Sequence, residues 1–203
     1  MKIGIAGGIG SGKSYVAARL AARGITVYDC DTAAKRLMRT SPELRRQLTE
    51  LIGSLDKAAI SRFLLASEEN QQAINAIVHP AVFADFLESG LDWLESAIMF
   101  ESGADRYVDR VIVVTAPEEV RISRIVRRDG ITREQALQWM ARQWPQEKVR
   151  QLADYEIVND GQQDIEQQID DIIRSLARNI ETPRNRNIET PRNRNIEISK
   201  HRK

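Results

Sequence analysis

The stretch that most constrains this chain is Gly7–Ser14, Gly-Gly-Ile-Gly-Ser-Gly-Lys-Ser, which fits the pattern G-x-x-x-x-G-K-[ST]. Glycines in this pattern let successive backbone N–H groups turn inward around phosphate oxygens, while the lysine reaches the β- and γ-phosphates and the serine hydroxyl can ligate Mg²⁺. The apolar run at 3–6 predicts a buried strand, and residues 15–23 predict a helix whose N-terminus faces the phosphate. A glycine-rich turn that binds nothing is the alternative, and the register of Lys13 and Ser14 between strand and helix argues against it. The predicted nucleotide-binding residues are Gly8, Ile9, Gly10, Ser11, Gly12, Lys13, Ser14 and Tyr15, with Ser14 as the metal ligand.

Length and cysteine content limit the remaining possibilities. With 203 residues the chain is long enough for one sizeable core and short for two. No apolar stretch approaches the ~20 residues that span a bilayer, and the N-terminus begins a strand instead of a leader segment. A single cysteine, Cys30, excludes an intrachain disulfide and is expected to be a small packing residue. These features predict a cytoplasmic protein with no membrane partner.

The charge is unevenly distributed along the chain. Of the 30 basic and 29 acidic side chains, residues 178–203 hold eight and three, which leaves 22 basic and 26 acidic in residues 1–177. The larger part is therefore mildly acidic, with a net charge of −4. This argues against a nucleic acid partner bound through a broad basic surface, although local basic patches around phosphate remain possible.

Two aspartates follow the second short β-rich run, Ile25–Tyr28. Because ligands bind beyond the carboxyl ends of strands in open α/β sheets, Asp29 and Asp31 are expected near the phosphate loop. One carboxylate can accept a proton from an attacking hydroxyl while the other orients it or holds a Mg²⁺-bound water. Alternatively, either aspartate simply caps the helix that begins near Thr32.

Residues 32–95 contain no clear strand, and their apolar positions recur at helical spacing. Helix starts are predicted at Ser41-Pro42 and at Ser54–Asp56, and His79-Pro80 is predicted to end one helix and open the next. The sequence therefore predicts a helical insertion. It can carry the second substrate, or it can serve only to cover the sheet.

Three further strands are predicted by apolar runs at 97–100, 110–115 and 155–158, each separated from the last by helical sequence. This alternation predicts a parallel sheet with right-handed crossovers. Glu101 is expected at the carboxyl end of the third strand, where it binds substrate or a Mg²⁺ water, or is an ordinary solvated terminus. Asn159–Gly161, after the fifth strand, can meet the adenine or ribose, or can be a bare turn. A last amphipathic helix is predicted from the apolar positions Ile165, Ile169, Ile172, Ile173 and Leu176.

The segment 117–154 is helical and rich in arginine. Arg121, Arg124 and Arg128 share one helix face and are predicted to clamp phosphates when the segment closes as a lid. A solvated face paired with Glu118, Glu119 and Asp129 is the alternative. Asp129–Thr132 breaks the helix, and Thr132–Gln135 has the form of a capping box, so two hinges are expected. The predicted lid contacts to phosphate are Arg128 and Arg142.

The end of the chain repeats an eight-residue unit, Arg178–Asn185, at 186–193. The unit is poor in apolar residues and contains a proline, so it cannot form a core. Residues 178–203 are therefore predicted to be a disordered basic tail. Replication slippage without function, or a weak contact to an anion, would account for it.

Taken together, these residues resemble the dephospho-CoA kinase family, which transfers the ATP γ-phosphoryl group to the ribose 3′-hydroxyl of dephospho-CoA. The resemblance covers residues 1–177. It departs from the usual pattern at Tyr15, Lys57 and Ala97, where Thr, Arg and Pro are common, and none of these removes a group that the chemistry requires. The segments that carry it are Gly7–Ser14, Tyr28–Asp31, Leu55–Lys57, His79-Pro80, Ile98–Glu101, Arg110–Val114 and Ala153–Gly161.

The resemblance implies a P-loop NTPase-type α/β fold: a three-layer sandwich around a five-stranded parallel sheet, with a helical substrate insertion and a helical lid. It implies one kinase domain over 1–177, with a core of 1–31 and 96–177, an acceptor-binding insertion at 32–95 and a lid at about 117–154. The substrates would be Mg²⁺-ATP and dephospho-CoA, and the protein a monomer or weak homo-oligomer. Lys13 and Asp31 would be catalytic, with Asp31 as the base, and the predicted acceptor-binding residues are Asp29, Asp31, His79 and Glu101.

Two other classes compete with this interpretation. A P-loop kinase of another small metabolite or nucleotide would share the phosphate loop and lid and differ only in the helical insertion. A GTPase-type nucleotide switch would need Asn-Lys-x-Asp and Asp-x-x-Gly elements, and neither occurs in the sequence. An ABC-type ATPase would need a second motif such as Leu-Ser-Gly-Gly, which is also absent.

Overall fold

The computed structural model describes residues 1–178. Five strands form one parallel sheet in the order β2-β3-β1-β4-β5, with β1 paired to β3 on one side and to β4 on the other. Helices cover both faces, so the predicted three-layer α/β architecture is confirmed. The strands are β1 (Ile3–Ala6), β2 (Val27–Asp29), β3 (Trp93–Ser96), β4 (Arg110–Thr115) and β5 (Tyr155–Val158).

Alternation along the central strands divides the core into two layers. Ile112 and Val114 of β4 face the layer that holds α1 (Lys13–Ala21) and α9 (Ile165–Arg178). Val111 and Val113 face the opposite layer. Because β4 is buried on both faces, its four central residues form a continuous apolar run, as expected for an inner strand of a parallel sheet. The predicted apolar face of α9 is confirmed, with Ile169, Ile172 and Leu176 buried against the sheet and Ile165 and Ile173 packed beside them.

Four helices connect β2 to β3 and fill the second layer. The Ser41 hydroxyl accepts a hydrogen bond from Leu44 N, and the Asp56 carboxylate accepts one from Ala59 N, so both predicted helix starts are confirmed. The helices are α2 (Cys30–Thr40), α3 (Pro42–Ile52), α4 (Lys57–Ala66) and α5 (Glu68–Glu88).

The predicted helix boundary at His79-Pro80 is wrong, because both residues lie inside α5. Proline costs the helix one backbone hydrogen bond at this point. The buried side chains on either side of it, Val78, Val82 and Phe86, keep the helix in contact with the core. Their packing outweighs the local cost, so one helix of 21 residues forms.

The third strand was also predicted in the wrong place. The apolar run Ala97–Phe100 lies in a turn after β3, and β3 itself is Trp93-Leu-Glu-Ser96. The expectation of no strand within 32–95 is therefore wrong as well. The charged residue Glu95 interrupts the apolar pattern by which a buried strand is recognised in the sequence. In the structure Glu95 is only 8% exposed and faces the phosphate loop. The second strand lies slightly later than predicted, at Val27–Asp29.

The segment predicted to be a lid, residues 117–154, is called the lid segment below and contains three helices: α6 (Glu118–Asp129), α7 (Arg133–Ala141) and α8 (Gln146–Leu152). Gly130 ends α6 with φ 65°, a left-handed conformation that favours glycine. The predicted capping box at the start of α7 is confirmed, since the Thr132 and Gln135 side chains each bond the other's backbone N–H.

Arg178 is the last residue of α9, and the rest of the repeated tail lies outside the described residues. Within residues 1–178, none of the helices combines the length and the apolar character needed to cross a bilayer.

Candidate active site

The phosphate loop joins β1 to α1 at the carboxyl edge of the sheet. Gly7 and Gly12 are required there for space as well as for conformation. Gly12 has φ 99°, and a Cβ atom at this position would lie 2.0 Å from Asn159 Nδ2. A Cβ atom at Gly7, with φ 146°, would lie 2.5 Å from the carbonyl oxygen of Val114. The glycines thus let the loop lie against the ends of β4 and β5, with the N-terminus of α1 behind it.

A cavity of about 460 Å³ opens over this loop, and we call it the phosphate cavity. Its walls come from four parts of the fold: the loop, the start of α2, the end of β3 and the lid segment. Such a meeting of loops at one sheet edge is the usual position of a ligand site in an α/β protein. Its main polar lining residues are Lys13, Ser14, Asp29, Asp31, Thr32, Lys35, Glu95, Arg124, Arg128 and Gln143.

The two aspartates after β2 have different environments. The Asp29 carboxylate accepts hydrogen bonds from Asp31 N (2.9 Å), Thr32 N (3.0 Å) and Thr32 Oγ1 (2.6 Å). Asp29 is therefore the N-cap of α2, as the structural alternative predicted. The Asp31 carboxylate accepts no hydrogen bond from the described part of the chain, and it is exposed to the cavity. Asp31 is thus the aspartate that is free to meet a ligand.

Glu95 forms the floor of the phosphate cavity next to Lys13 and Ser14. Its Oε1 atom lies 3.5 Å from the Ser14 hydroxyl, and its Oε2 atom is buried without a hydrogen-bond partner in the described residues. Burial raises the pKa of Glu95 despite the opposing effect of the nearby Lys13 charge. Burial likewise lowers the pKa of Lys13, while the charges of Glu95 and Asp31 act in the opposite direction. Both groups are therefore poorly solvated, and perturbed pKa values of this kind are common at functional sites.

The lid segment holds the tip of the phosphate loop at Ile9. The Arg121 Nε atom donates to the Ile9 carbonyl oxygen (3.0 Å), and the Ile9 N–H donates to Gln143 Oε1 (2.8 Å). The Ile9 side chain packs against the buried residues that join α6 and α7, Ile122, Ile125 and Ala136. Ile9 is thus bound to the lid segment through its carbonyl, its amide and its side chain.

The arginines of α6 divide their roles. Arg121 is 7% exposed and Arg124 donates to the carbonyl oxygens of Gly10 and Ser11, so both support the loop backbone. Arg128 lines the phosphate cavity and forms an ion pair with Asp129 at 2.8 Å. Arg142 is the C-cap that follows α7, and it lies outside the residues that line this cavity.

Asn159 closes the loop from the side of β5. Its Nδ2 atom donates to the carbonyl oxygen of Ser11 (2.9 Å), and its own oxygens accept from Arg124. A shallow cavity next to it is lined by Gly12, Tyr15, Arg124, Arg127, Asn159 and Gly161. The turn after β5 therefore has a structural role in holding the loop, and it also borders a space beside the phosphate cavity.

A second, largely apolar cavity of about 270 Å³ lies between β3 and the helices α2–α5. His79 and Cys30 line it together with apolar side chains such as Met38, Leu48 and Val78. Burial raises the pKa of the Cys30 thiol to about 12, so it is a neutral packing residue, as expected from the sequence. Asp31 is the residue that lines both this cavity and the phosphate cavity.

The structure brings most of the predicted site residues together. Asp29, Asp31 and Arg128 meet five of the predicted loop residues at the phosphate cavity: Ile9, Gly10, Gly12, Lys13 and Ser14. Tyr15 lines the cavity beside Asn159, Gly8 and Ser11 line neither of these cavities, and His79 lies in the apolar one. Glu101 is not at a strand end, because it follows the turn after β3, and its carboxylate accepts from Trp144 N at 2.9 Å. Three residues that line the phosphate cavity were not predicted from the sequence: Glu95, Lys35 and Gln143. For Glu95 the sequence did offer a signal, namely an acidic residue within the otherwise short β-rich stretch Trp93–Ser96.

These features are those of a P-loop kinase: a phosphate loop on a parallel sheet, a carboxylate that lines two cavities, and a helical segment that carries arginines. Comparison with known proteins identifies which kind. A model of the dephospho-CoA kinase family matches residues 1–164. A dephospho-CoA kinase of Bacteroides fragilis is 38% identical over 194 residues, covering 89% of this chain and 95% of the relative. That of Chlorobaculum tepidum is 37% identical over 201 residues, covering 88% and 96%.

A solved structure from Thermus thermophilus is 33% identical with a TM-score of 0.76, covering 87% of this chain and 97% of that chain. The chain belongs to the dephospho-CoA kinase family. The resemblance noted in the sequence and the activity predicted from it, that of an ATP-dependent kinase, are therefore confirmed.

Proposed function

We propose that the two adjoining cavities bind ATP and dephospho-CoA, and that the γ-phosphoryl group moves to the ribose 3′-hydroxyl where the cavities meet. The observation that carries this proposal is the position of Asp31, which lines both cavities and has no hydrogen-bond partner for its carboxylate in the described residues. A base for this reaction must lie within hydrogen-bond reach of the acceptor hydroxyl, at the point where that hydroxyl approaches the γ-phosphate. Asp31 meets that requirement.

In the proposed reaction Asp31 accepts the proton of the 3′-hydroxyl as its oxygen attacks the γ-phosphorus. The bond between the γ-phosphorus and the bridging oxygen breaks, and ADP leaves with the electron pair. Catalysis of this kind rests on positioning and on charge neutralisation. Lys13, Ser14 and the loop glycines Gly10 and Gly12 line the phosphate cavity, and the loop pattern assigns them to the β- and γ-phosphates. Arg128 lines the same cavity from the lid segment.

The site also suits the Mg²⁺ ion that accompanies ATP. The Ser14 hydroxyl and the unpartnered Glu95 Oε2 supply oxygen atoms of the type that Mg²⁺ and its bound waters prefer. The described residues hold no cluster of three or more His, Cys, Asp or Glu side chains that could bind a metal on its own. Such an ion would therefore depend on phosphate oxygens and would neutralise charge on them.

The other parts of the substrates are assigned by the shapes of the cavities. The shallow cavity beside Asn159 suits the nucleoside of ATP, next to the phosphate loop. The apolar cavity, which His79 lines, suits part of dephospho-CoA, so α2–α5 form the acceptor-binding insertion and residues 117–154 the lid of a single kinase domain. Glu101 and His79 also line a separate groove, and the acceptor role predicted for Glu101 would require the acceptor to reach it. We expect a monomer or weak homo-oligomer in the cytoplasm, where a chain with one cysteine needs no disulfide.

The test is ADP release with Mg²⁺-ATP against dephospho-CoA, adenosine, AMP, shikimate and gluconate. ADP formation that depends on dephospho-CoA alone supports the proposal, and mass spectrometry of the product should show one added phosphate. Turnover with another acceptor and none with dephospho-CoA would reject the acceptor and retain the P-loop kinase.

A further inference from the structure

Four cations line the phosphate cavity within the described part of the chain: Lys13, Lys35, Arg124 and Arg128. Arg124 is occupied by the carbonyl oxygens of the phosphate loop and by Asn159. Arg128 is paired with Asp129. Lys13 belongs to the loop itself, where its pattern assigns it to the ATP phosphates. Lys35 is the cation that these assignments leave without a role.

Lys35 lines the phosphate cavity from α2, the helix that also carries Asp31 and lines the apolar cavity. It follows Asp31 by four residues on α2, so the two side chains lie on the same helix face, one turn apart. Its ammonium group forms no hydrogen bond or ion pair with the described residues, and its neighbour Arg36 is directed elsewhere, to Asp85. A lysine that lines the cavity, unpaired and one turn from the base, is available to an anionic ligand.

We propose that the Lys35 ammonium binds the transferred phosphoryl group on the acceptor side, where that group becomes the 3′-phosphate of the product. This inference rests on the proposed function, because it requires the acceptor hydroxyl to lie at Asp31. A phosphate monoester carries nearly two negative charges at neutral pH. The group is formed beside a carboxylate, so it needs a cation that stays with the acceptor while Lys13 stays with ADP. Lys35 is placed to supply that charge.

A contact between Lys35 and the 3′-phosphate predicts different effects on the affinity for product and for substrate. CoA and dephospho-CoA differ only by the 3′-phosphate, so a side chain that contacts this group strengthens the binding of CoA alone. A charge-assisted hydrogen bond to phosphate corresponds to about a ten- to hundred-fold change in affinity. Lys35→Ala should therefore weaken CoA binding by about ten-fold or more and leave dephospho-CoA binding within about two-fold of wild type.

The experiment is titration calorimetry of CoA and of dephospho-CoA with wild type, Lys35→Ala, Lys35→Arg and Arg39→Ala. Arg39 is the matched control, since it is an exposed cation one turn further along α2 that lines neither cavity. Lys35→Arg should recover much of the CoA affinity, and Arg39→Ala should change neither ligand. Because Lys35 is exposed in a helix, its replacement by alanine should leave the folded state intact.

Two results would overturn the inference. CoA binding by Lys35→Ala that equals wild type would show a solvated lysine with no ligand contact. Equal loss of CoA and dephospho-CoA affinity would show a general effect on the cleft. Acceptor-dependent ADP release by the wild-type protein, measured in parallel, separates these outcomes from failure of the proposed function. If the wild-type protein shows no such release, the proposed function and the role of Lys35 are both rejected.

Discussion

Asn substitutions at Asp29 and Asp31 should separate a structural aspartate from a catalytic one. Asp31→Asn keeps the shape of the side chain and removes its ability to accept the hydroxyl proton. General base catalysis contributes about 10²–10⁴-fold, so turnover should fall at least about 100-fold. The Michaelis constant for ATP should stay close to wild type, because Asp31 accepts no hydrogen bond from the phosphate loop. Asp29→Asn should stay within about ten-fold of wild-type turnover.

The expected stabilities follow from the hydrogen bonds of the two side chains. Asp29 accepts three hydrogen bonds at the N-cap of α2. Loss of an N-cap costs about 0.5–2 kcal/mol, and three accepted bonds place Asp29→Ala in the upper part of that range. For a chain of 203 residues this corresponds to a decrease in Tm of about 2–8 °C. Asp29→Asn retains a capping oxygen and should lose less, as should Asp31→Asn, which removes only a charge from the first turn.

The assays are steady-state ADP release at a temperature where every variant is folded, and thermal unfolding of the same samples. Unchanged turnover of Asp31→Asn would refute its role as the base. A loss of turnover in Asp29→Asn as large as that in Asp31→Asn would refute the division between cap and base.

Three further predictions concern other parts of the molecule. Tyr28→Phe removes the 2.6 Å hydrogen bond to Asp85 and should cost about 1–2 kcal/mol in urea unfolding; Tyr107→Phe, whose hydroxyl has no hydrogen bond in the described residues, is the control, and equal losses would contradict this reasoning. Glu95→Gln should raise the Mg²⁺ concentration needed for half-maximal turnover, and an unchanged requirement would exclude Glu95 from the ion's surroundings. Burial lowers the pKa of His79 in the folded state, so on acidification the unfolded chain is protonated at a higher pH than the folded one. The contribution of neutral His79 to the free energy of unfolding should therefore be complete above pH about 6.5 and decrease as the pH falls below it. His79→Gln should flatten that dependence in urea unfolding at pH 7.5 and 5.5, and an undiminished slope would assign it to other groups.

The sequence predicted the parts of the site that are encoded by local pattern. The phosphate loop, the Asp-x-Asp after β2 and the capping box of α7 each follow from residues close together in the chain, where backbone geometry limits the choices. The strand β4 was placed correctly because both of its faces are buried and its sequence is apolar from residue 111 to residue 114.

The errors arose where tertiary contacts override local preference. Glu95 interrupts the apolar pattern of β3, and its carboxylate is buried beside Lys13 and Ser14, which the local sequence does not reveal. Pro80 marks a helix end by local rules, but core packing on both sides keeps α5 continuous. Gln143 and Arg121 contact the loop although they are more than 110 residues away from Ile9 in the sequence, and no short sequence pattern predicts such contacts.

The three attachments of Ile9 connect two parts of the enzyme mechanically. An outward movement of α6 and α7 must either pull the tip of the phosphate loop with it or break two hydrogen bonds and expose the Ile9 side chain. If ATP binds at this loop as proposed, its affinity is thermodynamically linked to the packing between these helices. A residue such as Ala136, which is fully buried in that packing and lines neither the phosphate nor the apolar cavity, belongs in this sense to the nucleotide site.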